Sequence, residues 1–168
     1  MKTRTSTAAR ALAVALVSAL TAMRAAAQVV QLDGKHTATS WQAMPSEGTA
    51  MRLSRDHGAL RIDFDFKGHG GYAVAHRALS LELPANYEIA FRIRAQAPVE
   101  NLELKLIDST GANVWWDNRR DFHFPAEWTT VRTKKRQISF AWGPAGGGEL
   151  RHLAALELAV TAGSGGHG

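Results

Sequence analysis

Hydrophobic and polar residues alternate with a period of two along much of the chain. In 60–66, leucine, isoleucine and phenylalanine side chains alternate with one arginine and two aspartates, and similar alternation runs through 87–93 and 102–107. Successive side chains of a β-strand point to opposite faces, so each segment predicts a strand with one apolar and one polar face.

Weaker alternation marks further strand candidates at 72–77, 79–83, 113–116, 129–136, 138–141 and 153–160. The last segment is also compatible with a short helix, because Leu153, Leu156 and Val160 recur at helical spacing. Glycine, proline, asparagine and aspartate separate the candidates at 67–71, 84–86, 108–111, 125–127 and 143–148. Strands about ten residues apart, with no amphipathic helix between them, predict an all-β fold, an antiparallel two-sheet sandwich.

Composition limits the domain count and the kinds of site. The chain has 168 residues, of which 45% are hydrophobic, and no cysteine. That length suits a single domain with a core large enough to fold without disulfides. The lack of cysteine excludes disulfide scaffolds, zinc knuckles and thiol catalysis. The seven histidines show no ligand spacing of the H-x-H or H-E-x-x-H kind, so we predict no metal site built on them.

Residues 1–27 have the layout of a secretory signal peptide. Basic residues precede the apolar run 11–23, and three alanines at 25–27 supply an A-x-A cleavage pattern before Gln28. Four of the 20 basic residues and none of the 15 acidic ones lie in this segment, so the remainder has a formal net charge of +1. We therefore predict a secreted or periplasmic protein with no nucleic-acid partner and no membrane contact after cleavage. An uncleaved anchor is the alternative, although this run of 13 residues falls short of the roughly 20 that span a bilayer.

The domain organisation predicted from these patterns has three parts. They are a signal peptide at 1–27, a β-sandwich module at 28–162 and a linker at 163–168. The last segment contains four glycines and one serine, the composition of a flexible linker that precedes a further domain.

Asp63 and Asp65 lie two residues apart on one predicted strand, so their side chains share a face about 6.5–7 Å apart. Paired carboxylates at such a distance can hydrolyse a glycosidic bond. The alternative is a solvated sheet face on which acids and bases form cross-strand ion pairs. We expect the residues on that face to be Asp63, Asp65, Arg92, Arg94, Glu103 and Lys105.

The segment 108–125 is the richest in groups that could contact a ligand. It contains the pair Trp115 and Trp116, whose side chains must point to opposite faces of a strand. An outward tryptophan offers a plate for the C–H face of a sugar ring, and neighbouring polar groups can bind its hydroxyls. The alternative is that both indoles pack, one of them under the loop 119–125. Trp41, Trp128 and Trp142 are predicted to lie in the core.

Several segments together resemble a known group of modules. They are 60–66, 70–74, 102–108, 113–116 and 140–144. They are similar to the N-terminal discoidin or coagulation-factor-type module of bacterial secreted proteins. They also distantly resemble carbohydrate-binding module family 11 and the complex I intermediate-associated fold. The resemblance covers about 38–165 and implies a non-catalytic, galactose-binding-like jelly roll, commonly placed before a glycoside hydrolase domain.

Residue roles follow from the resemblance only. In family 11 modules, aspartates, arginines and aromatics on the concave sheet hold a glucan chain. The matching positions here are Asp63, Asp65, Arg92, Arg94, Trp116 and His123. Family 11 grooves are rich in tyrosine, whereas this chain has only Tyr72 and Tyr87, so a β-glucan ligand is not implied. The resemblance implies no cofactor and no catalytic residue. It allows a structural calcium ion, for which Glu47 and Glu157 are the candidate ligands.

Three interpretations remain, and the first is the one we favour. It is a carbohydrate-binding module that holds an attached enzyme on a polysaccharide or oligosaccharide. The second is a structural module that packs against a neighbouring catalytic domain of the same chain without binding a ligand. The third is an autonomous hydrolase that uses Asp63 and Asp65.

Overall fold

The structure, a computed structural model, describes residues 28–32 and 41–168. Residues 28–31 belong to a unit separate from 32–168 and have no helix or strand. Within 41–168 the second unit contains ten strands: β1 (Gln42–Pro45), β2 (Ala50–Asp56), β3 (Ala59–Asp65), β4 (Tyr72–Glu82), β5 (Glu88–Ile93), β6 (Glu100–Ile107), β7 (Val114–Phe122), β8 (Thr129–Lys134), β9 (Ser139–Trp142) and β10 (His152–Thr161). One 3₁₀ turn, Lys135–Gln137, follows β8. The predicted all-β fold is confirmed.

The strands form one large sheet and two ribbons, all antiparallel. The large sheet has the order β1-β4-β10-β6-β7-β9, and the ribbons are β2-β3 and β5-β8. Both ribbons pack on the same side of the large sheet. Tyr87 and Ile89, from the start of β5 and the loop before it, pack against Leu104 and Leu106 of β6. Phe64 and Phe66, from the end of β3, pack against Ala73 and Val160. The ribbons therefore form the second layer of the predicted sandwich.

Several strands differ from their predicted limits. β4 is one strand of 11 residues, where the pattern predicted two, and β10 is a strand throughout. A register shift between Leu153 and Ala155 explains the helical spacing in β10, because it keeps Leu153 and Leu156 in the same core cluster although they are three residues apart. β1 and β2 were not predicted. All four side chains of β1 are exposed, so it carries no alternation to detect.

The segment 163–168, predicted to be a linker, is hydrogen-bonded to the sandwich. Backbone N–H groups of Phe64 and Phe66 donate to the carbonyls of Gly168 and Gly166 at 2.9 Å, and the Gly168 N–H donates back to Phe64. The buried carboxylate of Glu100 accepts the N–H of Gly163. This segment extends the second layer along the free edge of β3.

The predicted signal peptide, residues 1–27, lies outside the described residues. Within 28–32 and 41–168 the structure contains no helix of the length and hydrophobicity that crossing a membrane requires.

Candidate functional site

The large sheet has a second face, opposite the core, which we call the polar face. Strand register places one row of side chains across all six strands on this face: Gln42, His76, Glu157, Lys105, Trp116 and Ser139. A second row contains Met44, Val74, Ala159, Glu103 and Asn118. Six strands at the usual spacing make the first row roughly 24 Å long. An oligosaccharide, rather than a single sugar, matches that length.

The alternation of β6 and β7 creates this face. In β6, Leu104 and Leu106 enter the core, so Glu103 and Lys105 must lie on the opposite side. In β7, Trp115 is buried against the core, where its indole N–H donates to the Gly148 carbonyl at 3.0 Å. Trp116 therefore lies on the polar face. The two indoles point to opposite faces of the strand, as the sequence predicted.

Two pairs of polar side chains in contact occupy the middle of the polar face. Lys105 Nζ lies 3.0 Å from Glu103 Oε2, and His76 Nδ1 lies 2.9 Å from Glu157 Oε1. Glu103 and Lys105 are only 5% and 8% exposed. Charged groups are rarely buried unless they are paired, so the contact between Glu103 and Lys105 explains why both can be buried.

Two tryptophans adjoin this charged centre. The rings of Trp116 and Trp142 meet edge to face, with centroids 5.6 Å apart, and Lys105 Nζ lies 5.5 Å from the centroid of Trp142. Trp142 is 46% exposed. Its prediction as a core residue is therefore wrong. A register shift between Val114 and Trp115 is the reason, because it leaves Trp142 opposite Val114 on the polar side while Phe140 still packs on Trp115.

The structure distributes the six predicted site residues over several places. Asp63 and Asp65 lie on β3, where Asp63 accepts a hydrogen bond from Arg61 Nε at 2.8 Å and Asp65 accepts the Lys67 N–H at 2.7 Å. Arg92 lies on β5 and Arg94 just after it, and both guanidinium groups lie near the ring of Trp128. Trp116 alone lies on the polar face.

His123 is exposed just after β7, between two phenylalanines whose rings meet edge to face.

The prediction of one shared face was wrong for the following residues, because their strands belong to the two ribbons and the large sheet: Asp63, Asp65, Arg92, Arg94, Glu103 and Lys105. Trp128 is 41% exposed, which corrects its core prediction, whereas Trp41 is half-buried against the core.

Sequence reasoning missed four residues of the polar face as site candidates: His76, Glu103, Lys105 and Trp142. The alternation in 102–107 already placed Glu103 and Lys105 on one polar face of a strand. What the sequence does not contain is the strand order, which brings β10 and β4 beside β6 and so adds Glu157 and His76.

Among the described residues, hydrogen bonding and burial shift three pKa values, all outside the polar face. At Asp108, burial acts to raise the pKa, but hydrogen bonds from Thr110 and Asn113 outweigh it and the pKa is lowered. Burial raises the pKa of Tyr87. The hydrogen bond to Asp63, together with its charge, raises the pKa of Arg61.

Metal ligands are not gathered in the described part of the chain. No group of three or more histidine, aspartate or glutamate side chains there could hold a metal ion. Of the two calcium candidates, Glu157 pairs with His76 on the polar face and Glu47 is exposed in a turn after β1.

Residues in the middle of the polar face are buried, whereas Met44 and Trp142 on its edge strands are exposed. One cavity, of about 230 Å³, lies beside Tyr87 and Trp115, and another, of about 410 Å³, lies beside Gln96 and Gly166. An extended chain lying across a sheet does not need an enclosed cavity.

Comparison with known proteins gives structural matches only. No protein-family model and no curated protein matches the sequence. One similar structure is the family 11 carbohydrate-binding module of the cellulosomal cellulase Lic26A-Cel5E of Clostridium thermocellum. It has a TM-score of 0.63 and 14% identity over 85% of this chain and 91% of that one. A second is a family 11 module from Clostridium thermocellum, solved in complex with a β-1,3-1,4-mixed-linked tetrasaccharide. It has a TM-score of 0.60 and 14% identity over 81% of this chain and 88% of that one. The chain therefore has the jelly-roll sandwich fold of family 11 carbohydrate-binding modules.

Proposed function

We propose that this protein is a non-catalytic carbohydrate-binding module whose ligand lies across the polar face. The observation that carries the proposal is the pair Trp116 and Trp142 beside the buried pair Glu103 and Lys105. An indole plate next to fixed carboxylate and ammonium groups is the combination that a sugar ring requires, because its C–H face is apolar and its edge carries hydroxyls.

The cost of the buried ion pairs supports a binding role. A buried ion pair must overcome the desolvation of both groups, and apolar residues of similar volume are often equally stable or more stable. Glu103 and Lys105 are therefore poorly explained as stabilising residues. Aligned donors and acceptors already stripped of much of their water would instead lower the entropy cost of binding hydroxyl groups.

A neutral glycan chain is the ligand class that we propose for this face. In its centre the charges of Glu103 and Lys105 balance each other, so this pair offers no excess charge to an ionic ligand. Supporting evidence comes from the shared fold, since one module of that fold was solved with a β-1,3-1,4-mixed-linked tetrasaccharide.

The test is affinity electrophoresis of the purified protein in gels that contain β-1,3-1,4-mixed-linked glucan or another neutral glycan. We expect retention of the wild type by at least one glycan. Trp116→Ala and Trp142→Ala should each weaken binding by about tenfold, which corresponds to about 1.4 kcal/mol. Trp128→Ala is the matched control, because Trp128 is similarly exposed but lies on the other layer.

Two results would contradict the proposal. Wild-type retention that neither Trp116→Ala nor Trp142→Ala changes would move the site away from the polar face. Absence of retention by every neutral glycan would favour the structural module, in which Met44, Tyr72 and Trp142, all exposed, would be covered by a neighbouring domain.

We also propose that the protein is exported and works beside a catalytic domain of the same chain. Residues 1–27 support export, because basic residues, an apolar run and small residues follow one another there as in a signal peptide. The resemblance to modules of carbohydrate-active proteins supports a partner enzyme. Detection of a periplasmic or extracellular product beginning at Gln28 would verify the first part. A full-length intracellular product would contradict it.

A further inference from the structure

The outward side of the β5-β8 ribbon is a second surface with its own chemistry. Ile89, Phe91 and Ile93 of β5 are half-buried, and Val131 and Thr133 of β8 are buried. The alternate positions point outward, in register: Glu88 faces Lys134, Ala90 faces Arg132 and Arg92 faces Thr130. We call this surface, extended by Arg94 and Trp128 at its end, the basic face.

Trp128 stands at the end of the basic face with two arginines against it. The guanidinium carbons of Arg92 and Arg94 lie 5.4 and 5.0 Å from the centroid of its ring. Guanidinium groups within about 6 Å of an indole ring make cation–π contacts, which hold long side chains in a limited set of positions. The ring nevertheless stays 41% exposed. The two guanidinium groups and the exposed indole ring therefore lie side by side on the protein surface.

Positive charge on the basic face exceeds the acidic groups that neutralise it. Arg132 pairs with Glu88 at 2.6 Å, and Arg94 lies 3.6 Å from Asp56 of β2. Arg92 and Lys134 have no acidic partner among the described residues. Apart from Trp128, the outward positions of the two strands hold no large apolar side chain, so an acyl-chain contact is not offered.

We infer that the basic face binds an acidic polysaccharide, a polymer of carboxylate-bearing sugar units. A uronate ring has an apolar C–H face that can lie on Trp128 and a carboxylate that a guanidinium group binds with two parallel hydrogen bonds. Arg92 and Arg132 lie on neighbouring strands two register positions apart, so successive carboxylates of one chain could reach both. The Glu103–Lys105 pair of the polar face offers no such excess charge.

This surface lies on the layer opposite the polar face and uses none of its residues. The inference therefore does not depend on the proposed neutral-glycan function. An experiment can contradict binding at one of the two surfaces and still support binding at the other.

The test uses the purified protein in affinity electrophoresis against polygalacturonate, with neutral mixed-linked glucan in a parallel gel. We expect the wild type to be retained by polygalacturonate at low salt. The double variant Arg92→Ala/Arg132→Ala should bind at least about tenfold more weakly, and so should Trp128→Ala. Binding should also weaken as salt is raised.

A double variant of equal charge provides the matched control. Arg61→Ala/Arg151→Ala removes the same two charges from exposed positions outside the basic face, so it should keep polygalacturonate binding. Trp116→Ala should also keep it. Equal loss in both double variants would overturn the inference, because general attraction to net charge would then explain binding. Tighter binding of the wild type to duplex DNA or to anionic phosphatidylserine vesicles would overturn it in favour of those ligands.

Discussion

At the scale of single residues, Asp108 organises the turn between β6 and β7. Its carboxylate accepts hydrogen bonds from Thr110 Oγ1 at 2.6 Å and from Asn113 Nδ2 at 2.7 Å. Burial opposes ionisation, but these bonds outweigh it and lower the pKa from its ordinary value of 3.8. A carboxyl whose pKa is lower in the folded state stabilises the fold above the unfolded pKa and loses that contribution as pH falls through the folded value.

We therefore predict a pH-dependent effect of Asp108→Ala. At about pH 7 the variant should lower the free energy of unfolding by about 1–2 kcal/mol. At a pH below 3.8, the ordinary pKa, the difference from the wild type should be smaller. Urea unfolding at both pH values measures this. Ser109→Ala, an exposed change in the same turn, is the control and should have no effect. A difference that stays constant with pH would contradict the role given to the carboxylate.

Glu100 is the second residue with a specific expected effect. It is 0% exposed; its Oε2 accepts the Gly163 N–H, whereas its Oε1 has no hydrogen-bond partner within the described residues. Burying a neutral amide costs less than burying a carboxylate, and an amide oxygen can still accept from Gly163. Glu100→Gln should therefore raise the free energy of unfolding at neutral pH by about 1 kcal/mol.

Glu100→Ala is the comparison variant, since it removes the acceptor and leaves a cavity. It should lower the free energy of unfolding by about 2–3 kcal/mol. Urea unfolding of the three proteins in one buffer measures both effects. If Glu100→Gln were as destabilising as Glu100→Ala, a bound cation or another partner of Oε1 would be required.

At the scale of elements, the loop after β9 fixes the end of the strand that carries Trp142. Gly143 has a φ of 132°, and a Cβ there would lie 2.5 Å from the Ala112 carbonyl oxygen and from Asn113 Oδ1. Gly147 has a φ of 133°, but a Cβ there would meet nothing within 4 Å. The two glycines have nearly the same φ and differ in the space around them.

Alanine at these two positions separates steric overlap from backbone strain. Gly143→Ala should be less stable than Gly147→Ala by about 1–3 kcal/mol, because only the first must displace the β6-β7 turn. Thermal or urea unfolding of the pair measures the difference. Equal destabilisation would mean that the backbone conformation alone accounts for the cost.

The alternation of hydrophobic and polar residues predicted the strands that have one apolar face. It did not predict strand limits or side-chain positions where a bulge or an edge strand interrupts that pattern. The Trp115–Trp116 pair sits in regular register with β6, so its split between core and polar face followed from the sequence. The position of Trp142 on the polar face could not be predicted, because the register shift beside Val114 depends on how β9 pairs with β7. Strand order also follows no local pattern, which is why the row linking His76, Glu157 and Lys105 could not be predicted.

At the scale of the whole molecule, the sandwich depends on how the free edge of β3 is closed. β2 pairs with one edge, and on the other edge three backbone hydrogen bonds join Phe64 and Phe66 to Gly166 and Gly168. The same two phenylalanines are buried and pack against Ala73 and Val160 of the large sheet. The segment 163–168 thereby shields the contact between the two layers.

Deleting residues 165–168 therefore tests whether this segment is part of the fold or the linker that its composition predicts. Loss of three hydrogen bonds, each with a net contribution of about 0.5–1.5 kcal/mol, should lower the free energy of unfolding by about 2–4 kcal/mol. Urea unfolding measures this, and hydrogen exchange at the Phe64 and Phe66 amides should become faster. His167→Ala keeps all three backbone bonds and should behave as the wild type. An unchanged unfolding midpoint and unchanged exchange after the deletion would mean that 163–168 is a linker, and that the layers hold together without it.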